Sequence, residues 1–340
     1  MTIWVKLLDR TAVLFLGVAV GVAMGLAFAG GEEEEAPLPV PATQSSAPAP
    51  ASSASPSSTR RPAQGQPRLA DNRPVTPGLG QSSDPGLDLA APFGPHLLST
   101  VAQGGKVRVG VFGDSYGDGI WSALYHLLPA KRQYEVVKFS QQSTGFTRYG
   151  SLNLEDHLRE QIADKPIDIA VISFGANDTQ GVMAGRHAAK LLSPEWQAIV
   201  GKRVEGFIRI LRQQGAMVYW VGLPRMRKPS YDADIAGMNL FYARKMKELG
   251  VPWIDTAPLS VDADGNYAPY LPDGPDQKRI LIRANDGIHM SMIGYQRITR
   301  GLAKRIDHYV DAARRQAGVT PLSGTASART DETGTGMRAS

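Results

Sequence analysis

The stretch VRVGVFGDSYGDG, residues 107–119, decides the expected fold. Its apolar run, residues 107–112, ends abruptly at Gly113-Asp114-Ser115, and residues 119–128 fit a helix. This order predicts a buried strand, a polar turn and a helix, with Ser115 at the carboxyl end of the strand. Ligands bind at the carboxyl ends of strands in open α/β sheets. Ser115 is therefore a candidate nucleophile, although the tripeptide also suits an ordinary turn.

Four more short runs rich in apolar residues follow along the chain. The five predicted strands are residues 107–112, 135–139, 167–174, 217–222 and 252–255. Such runs are typical of parallel strands buried on both faces. Segments with helical periodicity lie between or after them, at residues 154–163, 195–214, 239–249 and 292–315. The alternation predicts an α/β protein, a three-layer α/β/α sandwich with a parallel five-stranded sheet.

The N-terminal region contains a candidate membrane helix. Residues 11–31 are an uncharged apolar run that follows Lys6 and Arg10. At about 1.5 Å per residue, this run is just long enough for a bilayer core of about 30 Å. Its length favours an uncleaved anchor, although a signal peptide cleaved after Ala29 is the alternative. Because the positive charges precede the run, residues 1–10 are expected in the cytoplasm and the rest of the chain outside it.

Composition divides the remaining chain. Residues 32–95 are mostly Pro, Ala, Ser and Gln, with few large apolar side chains. Such a segment cannot bury enough surface to offset the entropy lost on ordering, so a disordered linker is expected. The globular domain is expected over residues 96–317. Residues 318–340, rich in Thr, Ser, Gly and charge, are predicted to be a disordered tail.

Several classes of site are not supported by the sequence. The 340 residues contain no cysteine, so no disulfide, thiolate metal site or lipidated cysteine is expected. The net charge of +5 would suit an anionic partner, but the basic residues are scattered. Without zinc-finger spacing or an aromatic RNA motif, no nucleic-acid partner is expected.

Residues 262–282 interrupt the strand and helix pattern. Asp264-Gly265 and Asp273-Gly274 are turn signals, and Tyr267, Tyr270 and Leu281 could pair around the second turn. Asp262 and Asp264 faintly resemble a calcium loop. The glycine and the glutamate that such a loop requires are missing from their places, so no metal is expected there.

Two further polar clusters follow predicted strands or precede the last helix. Asn177, in the phrase GAND, follows the third strand, where its amide could donate to an oxyanion in the crevice of Ser115 or merely cap its loop. Asp286 and His289 precede the last helix. Their spacing lets the carboxylate accept a hydrogen bond from the imidazole and leaves the other ring nitrogen as a general base. The other five histidines lack such a carboxylate.

Taken together and in this order, the motifs resemble those of the SGNH (GDSL-type) hydrolase family. Gly113-Asp114-Ser115 is similar to its first block, residues 175–178 to its third and residues 286–289 to its fifth. Gly145 is the best match to the glycine of the second block, whose N–H helps to form the oxyanion hole. The phrase RANDGIH, residues 283–289, resembles the membrane-anchored, periplasmic branch known as DUF459.

The resemblance implies a flavodoxin-like fold and ester hydrolysis or acyl transfer without a metal or another cofactor. It implies that Ser115 is the nucleophile, His289 the general base and Asp286 the residue that orients His289. The N–H groups of Ser115 and Gly145 and the side chain of Asn177 would form the oxyanion hole. It further implies an inner-membrane anchor with the catalytic domain in the periplasm, or a secreted protein.

The expected partner is an acyl-ester substrate, and a membrane tether suits an acetylated cell-wall or extracellular polysaccharide. An O-acetyltransferase with the same triad is one alternative, and a catalytically idle polysaccharide-binding module is another. Tyr116, where the family has leucine, and Arg225, in the basic segment 223–231, are expected to contact the substrate. No oligomeric state follows from the sequence.

Overall fold

The computed structural model describes residues 82–322. The predicted membrane segment, most of the predicted linker and residues 323–340 of the predicted tail lie outside the described residues. Within residues 82–322, no helix is both long enough and apolar enough to cross a membrane.

Helices and strands alternate along the described chain. The helices are α1 (Gly86–Ala90), α2 (Pro95–Ala102), α3 (Ser115–Leu127), α4 (Leu154–Gln161), α5 (Pro194–Gln213), α6 (Pro229–Leu249) and α7 (Met292–Gln316). The strands are β1 (Val107–Gly113), β2 (Tyr134–Lys138), β3 (Ile169–Ser173), β4 (Val182–Ala184), β5 (His187–Ala189), β6 (Met217–Val221), β7 (Trp253–Ile254), β8 (Tyr270–Asp273) and β9 (Lys278–Leu281). Two short 3-10 turns span Ala130–Arg132 and Ala257–Ser260.

The central sheet has five parallel strands in the order β2-β1-β3-β6-β7. The chain moves outward from β1 to β2 and then returns to the other side of β1 with β3. This reversal leaves a crevice at the carboxyl ends of β1 and β3, where ligands bind in such sheets. The register pairs Gly113 with Ser173, so the segments that follow these two strands begin side by side.

Helices cover both faces of the sheet, which confirms the three-layer prediction. One apolar core joins the sheet to α2, α3 and α7, and the other joins it to α4, α5 and α6. Neighbouring residues of β3 show why the strands read as continuous apolar runs. Val171 belongs to the first core and Ile172 to the second, and both are fully buried.

Two helices begin earlier than predicted. Helix α3 begins at Ser115 rather than at residue 119, because the Asp114 side chain caps it by accepting the Tyr116 N–H at 2.9 Å. Helix α6 begins at Pro229 rather than at residue 239. Proline suits the first turn of a helix, where its missing N–H would have no partner within the helix.

The N-terminal boundary of the domain also differs from the prediction. Residues 82–95, assigned to the linker by composition, contain α1 and pack against the domain. The Asp88 carboxylate is buried, pairs with the Arg305 guanidinium of α7, and accepts a hydrogen bond from the Tyr219 hydroxyl at 3.2 Å. Because this contact is made by a charged residue, the low hydrophobicity of residues 82–95 did not indicate that they belong to the domain.

The two hairpin turns occur where they were predicted. Val261 forms an antiparallel bridge with Tyr267 around the first turn, so the predicted pairing of Tyr267 around the second turn is wrong. Strands β8 and β9 pair around the second turn, with Tyr270 opposite Leu281. At the other end of the domain, Val319 in the predicted tail donates its N–H to the Arg314 carbonyl at 2.8 Å.

Candidate active site

Three side chains from distant parts of the sequence form a continuous hydrogen-bonded chain. The His289 Nε2 lies 2.8 Å from the Ser115 Oγ, and its Nδ1 lies 2.6 Å from the Asp286 Oδ2. Ser115 is the first residue of α3, directly after β1, whereas the other two precede α7. The site is open to solvent, since the His289 side chain is 36% exposed.

The Asp286 carboxylate organises the turn that carries His289. Its Oδ1 accepts the N–H of Ile288 at 2.8 Å and that of His289 at 2.9 Å, while its Oδ2 accepts from the imidazole. Partial burial opposes ionisation of Asp286, but these bonds outweigh it and lower the pKa of the carboxyl below its usual value. Asp286 is therefore an anion at neutral pH and fixes both the backbone and the ring of its partner.

Tyr116 lies beneath His289 and not in the crevice. Its ring stacks on the imidazole with centroids 5.7 Å apart, and its hydroxyl donates to the Ile288 carbonyl. The side chain is fully buried, and burial raises its pKa well above the ordinary value. The prediction that Tyr116 contacts substrate is therefore wrong, because the phenol instead supports the imidazole from within the core.

The loop after β3 meets the loop after β2 beside Ser115. The Asn177 Nδ2 donates to the Thr144 carbonyl at 3.2 Å, which places this amide next to the peptide group that joins Thr144 to Gly145. On the other side, the Tyr231 hydroxyl donates to the Ala176 carbonyl at 2.7 Å. The structure thus brings Asn177 and Gly145 together, as the motif order predicted.

Asp178 fixes the backbone that follows Gly145. Its buried carboxylate accepts the N–H groups of Phe146 at 3.0 Å and Thr147 at 2.8 Å, and the Thr147 hydroxyl at 2.7 Å. Burial raises the pKa of this carboxyl, although the bonds oppose the shift. A Cβ at position 145 would come within 2.4 Å of the Asp178 Oδ1, so this approach requires glycine.

Asp114 joins the two strand ends. Besides capping α3, its carboxylate accepts the N–H of Gly175 at 3.3 Å, and it is fully buried. Burial raises the pKa of Asp114 to about 7, the Tyr116 N–H lowers it, and the nearby Asp178 carboxylate adds to the rise. The contact holds Ser115 in a set position relative to the loop of Asn177.

Arg225 does not contribute a free charge to the crevice. Its guanidinium pairs with the Asp232 carboxylate, with the Nη2 and the Nε lying 2.6 and 2.8 Å from the Oδ2. The bond to Asp232 raises the pKa of Arg225, so the guanidinium stays charged. A carboxylate of its own segment thus holds the guanidinium, and the substrate contact of Arg225 stays a prediction.

The neighbouring Arg227 makes a contact that no sequence pattern predicts. Its guanidinium reaches the turn formed by residues 285–289, the candidate catalytic turn, and donates to the carbonyls of Asn285 and Asp286. In the sequence it counted only as one of three charges in a basic segment, because nothing local shows where an arginine side chain will point.

The arrangement can activate a hydroxyl and stabilise negative charge. The chain of hydrogen bonds provides a base for the Ser115 proton and an anion that holds the base in place. The start of α3 adds backbone N–H groups that favour a developing anion. Among residues 82–322, no cluster of three or more His, Asp and Glu side chains could hold a metal ion.

The family model described as "Protein of unknown function (DUF459)" matches residues 108–305, and the chain belongs to this family. This confirms the resemblance to DUF459 that residues 283–289 carry. A search of curated proteins finds no match.

Several solved structures align with most of their own length to this chain. A GDSL-like lipase from Bacteroides thetaiotaomicron aligns with a TM-score of 0.42 and 13% identity, over 66% of this chain and 94% of its own. An acetyl xylan esterase aligns with a TM-score of 0.41 and 18% identity, over 59% of this chain and 98% of its own. A lipase/acylhydrolase from Enterococcus faecalis aligns with a TM-score of 0.39 and 16% identity, over 64% of this chain and 98% of its own.

Proposed function

We propose that the domain is a serine esterase that hydrolyses carboxylic esters through an acyl-enzyme. The observation that carries the proposal is the hydrogen-bonded chain from Ser115 through His289 to Asp286, with links of 2.8 and 2.6 Å. A serine hydroxyl is a weak nucleophile at neutral pH and needs a base that a third group orients. All three groups are present within hydrogen-bond distance.

The proposed reaction has two halves. The Ser115 Oγ attacks the ester carbonyl carbon while its proton passes to the His289 Nε2. The bond to the alkoxy oxygen then breaks, and His289 gives the proton to the departing alcohol. Water enters, loses a proton to His289 and attacks the acyl carbon, so that a carboxylic acid leaves and the serine is restored. Asp286 stays ionised throughout and stabilises the imidazolium.

Three donors support the assignment of an oxyanion hole. They are the Ser115 N–H at the start of α3, the Gly145 N–H and the Asn177 side-chain amide. Asn177 uses one amide hydrogen on the Thr144 carbonyl and retains a second for an oxyanion. Its donation matters most when charge has developed on the carbonyl oxygen.

Replacing Asn177 with alanine should lower kcat for p-nitrophenyl acetate by about 10²–10³ with little change in KM, because the lost bond acts mainly in the transition state. Steady-state kinetics measures both parameters. Gln180→Ala is the matched control. Gln180 lies in the same loop, is exposed and donates to the Thr147 hydroxyl, so its replacement should leave kcat unchanged. A change in KM alone would show that Asn177 only binds substrate.

Replacing Ser115 with alanine should abolish both ester turnover and labelling by a fluorophosphonate probe, because it removes the hydroxyl that bonds the His289 Nε2 at 2.8 Å. The kcat of this variant should be lower than that of the wild type by at least about a thousandfold. Ser122→Ala, on the same helix, should keep both signals, and circular dichroism should show that both variants are folded. Near-full turnover by the Ser115 variant would contradict the serine mechanism.

We also propose that the substrate is an acetylated polysaccharide outside the cytoplasm. Support comes from the sequence: an apolar run at residues 11–31 follows Lys6 and Arg10, and a long Pro- and Ser-rich segment separates it from the domain. Charges placed before an apolar run orient the following domain away from the cytoplasm. A tethered enzyme suits a substrate that is itself immobile.

Membrane fractionation with an acetate-release assay tests both parts of that proposal. The full chain should stay in the membrane fraction after a high-salt wash. Salt releases proteins that are bound to the membrane by charge, whereas an apolar helix is retained by burial in the hydrocarbon core. Those membranes should release acetate from an added acetylated polymer. A soluble product beginning near Gly30 would contradict the anchor. Acetate release from small sugars alone would contradict the polymeric substrate.

A further inference from the structure

Arg227 binds three consecutive carbonyl groups of the catalytic turn. Its Nη1 donates to the Asn285 carbonyl at 2.9 Å, and its Nη2 donates to the Asp286 carbonyl at 3.0 Å. Its backbone N–H donates to the Gly287 carbonyl at 3.0 Å. One residue from the loop after β6 therefore fixes the backbone that carries Asp286.

The next carbonyl of the turn is also held from outside. The Ile288 carbonyl accepts the Tyr116 hydroxyl and the Arg283 Nη1, the latter at 3.2 Å. The backbone from residue 285 to residue 288 thus has each of its four carbonyls bound. The guanidinium is the contact that reaches the two carbonyls nearest the Asp286 side chain.

The shape of the turn is matched to the same side chain. Gly287 is buried and has a φ of +73°, in the left-handed region that favours glycine. A Cβ at this position would lie 2.5 Å from the Arg227 Nε and 2.6 Å from its Cβ. The arginine therefore packs on the bare backbone of the turn and fills the space where a side chain would stand.

We propose that Arg227 is a positioning residue for the Asp286 and His289 pair, an inference that rests on the proposed esterase function. Its planar guanidinium spans two adjacent carbonyls, a geometry that a lysine ammonium cannot reproduce. Asp286 accepts the N–H groups of Ile288 and His289, so a shift of its backbone would move the imidazole relative to Ser115. Misplacement of a catalytic group by about 1 Å can cost a hundredfold in rate.

The proposal gives the basic segment a role other than attraction of an anionic substrate. Arg225 is already paired with Asp232, and Arg227 has its guanidinium on the turn. Lys228 is exposed and next in the chain. It therefore serves as a matched control that carries the same charge from the same loop.

Replacing Arg227 with methionine should lower kcat for p-nitrophenyl acetate by about tenfold to a hundredfold while KM changes by less than about twofold. Arg227→Lys should lose most of the same activity, because it keeps the charge but not the planar fork. Lys228→Met should retain wild-type kcat. Activity of the lysine variant equal to wild type, or equal losses in the Lys228 variant, would overturn the positioning role.

Hydrogen exchange of the full chain gives a readout that does not depend on esterase activity. The amides of residues 287–289 should exchange about tenfold faster in Arg227→Met than in wild type or Lys228→Met, because the turn opens more often. Unchanged exchange in the Arg227 variant would overturn the proposal. The two claims can fail separately. If Arg227→Met exchanges faster but the wild type neither cleaves ester nor reacts with fluorophosphonate, Arg227 holds the turn and the esterase function is rejected.

Discussion

The parallel pairing of β1 with β3 is the constraint on which the site depends. It sets Gly113 beside Ser173, so Ser115 and the loop of Asn177 leave the sheet at adjacent points. Asp114 then bonds across the gap to the Gly175 N–H. The candidate catalytic turn, before α7, completes the site by placing His289 at this edge of the sheet. A slip in the β1–β3 register would separate the candidate nucleophile from its oxyanion donors, even with every side chain present.

Two carboxylates, one buried and one exposed, and one arginine hold the backbone at that edge. Asp178 fixes the backbone around Gly145, and Asp286 fixes the turn that carries His289, each by accepting several N–H or O–H groups. Hydrogen bonds to a charged acceptor are stronger than those between neutral groups. Arg227 holds the carbonyl side of the same turn. Preorganised polar groups of this kind act without moving when charge develops in a reaction.

The sequence predicted the sheet, its five strands and the motifs that meet in the candidate site, because apolar periodicity and short motifs are local properties. It failed where a side chain finds a partner far along the chain. Asp88 lies 217 residues from Arg305, and their buried pair draws residues 82–95 into the domain. Tyr116 sits beside the candidate nucleophile in sequence, yet its ring is packed under His289. Arg225 and Arg227 look alike as charges, and only the fold directs one to Asp232 and the other to the turn.

The central claim is that Ser115 carries the acyl group, and rapid-mixing kinetics with p-nitrophenyl acetate tests it most directly. If acylation outpaces deacylation, a burst of about one p-nitrophenol per protein precedes the steady state. Acid quenching during turnover, followed by peptide mass spectrometry, should place the acetyl group on the peptide that contains Ser115. An acetyl group on another residue, or a burst of p-nitrophenol with no acylated peptide, would contradict the account.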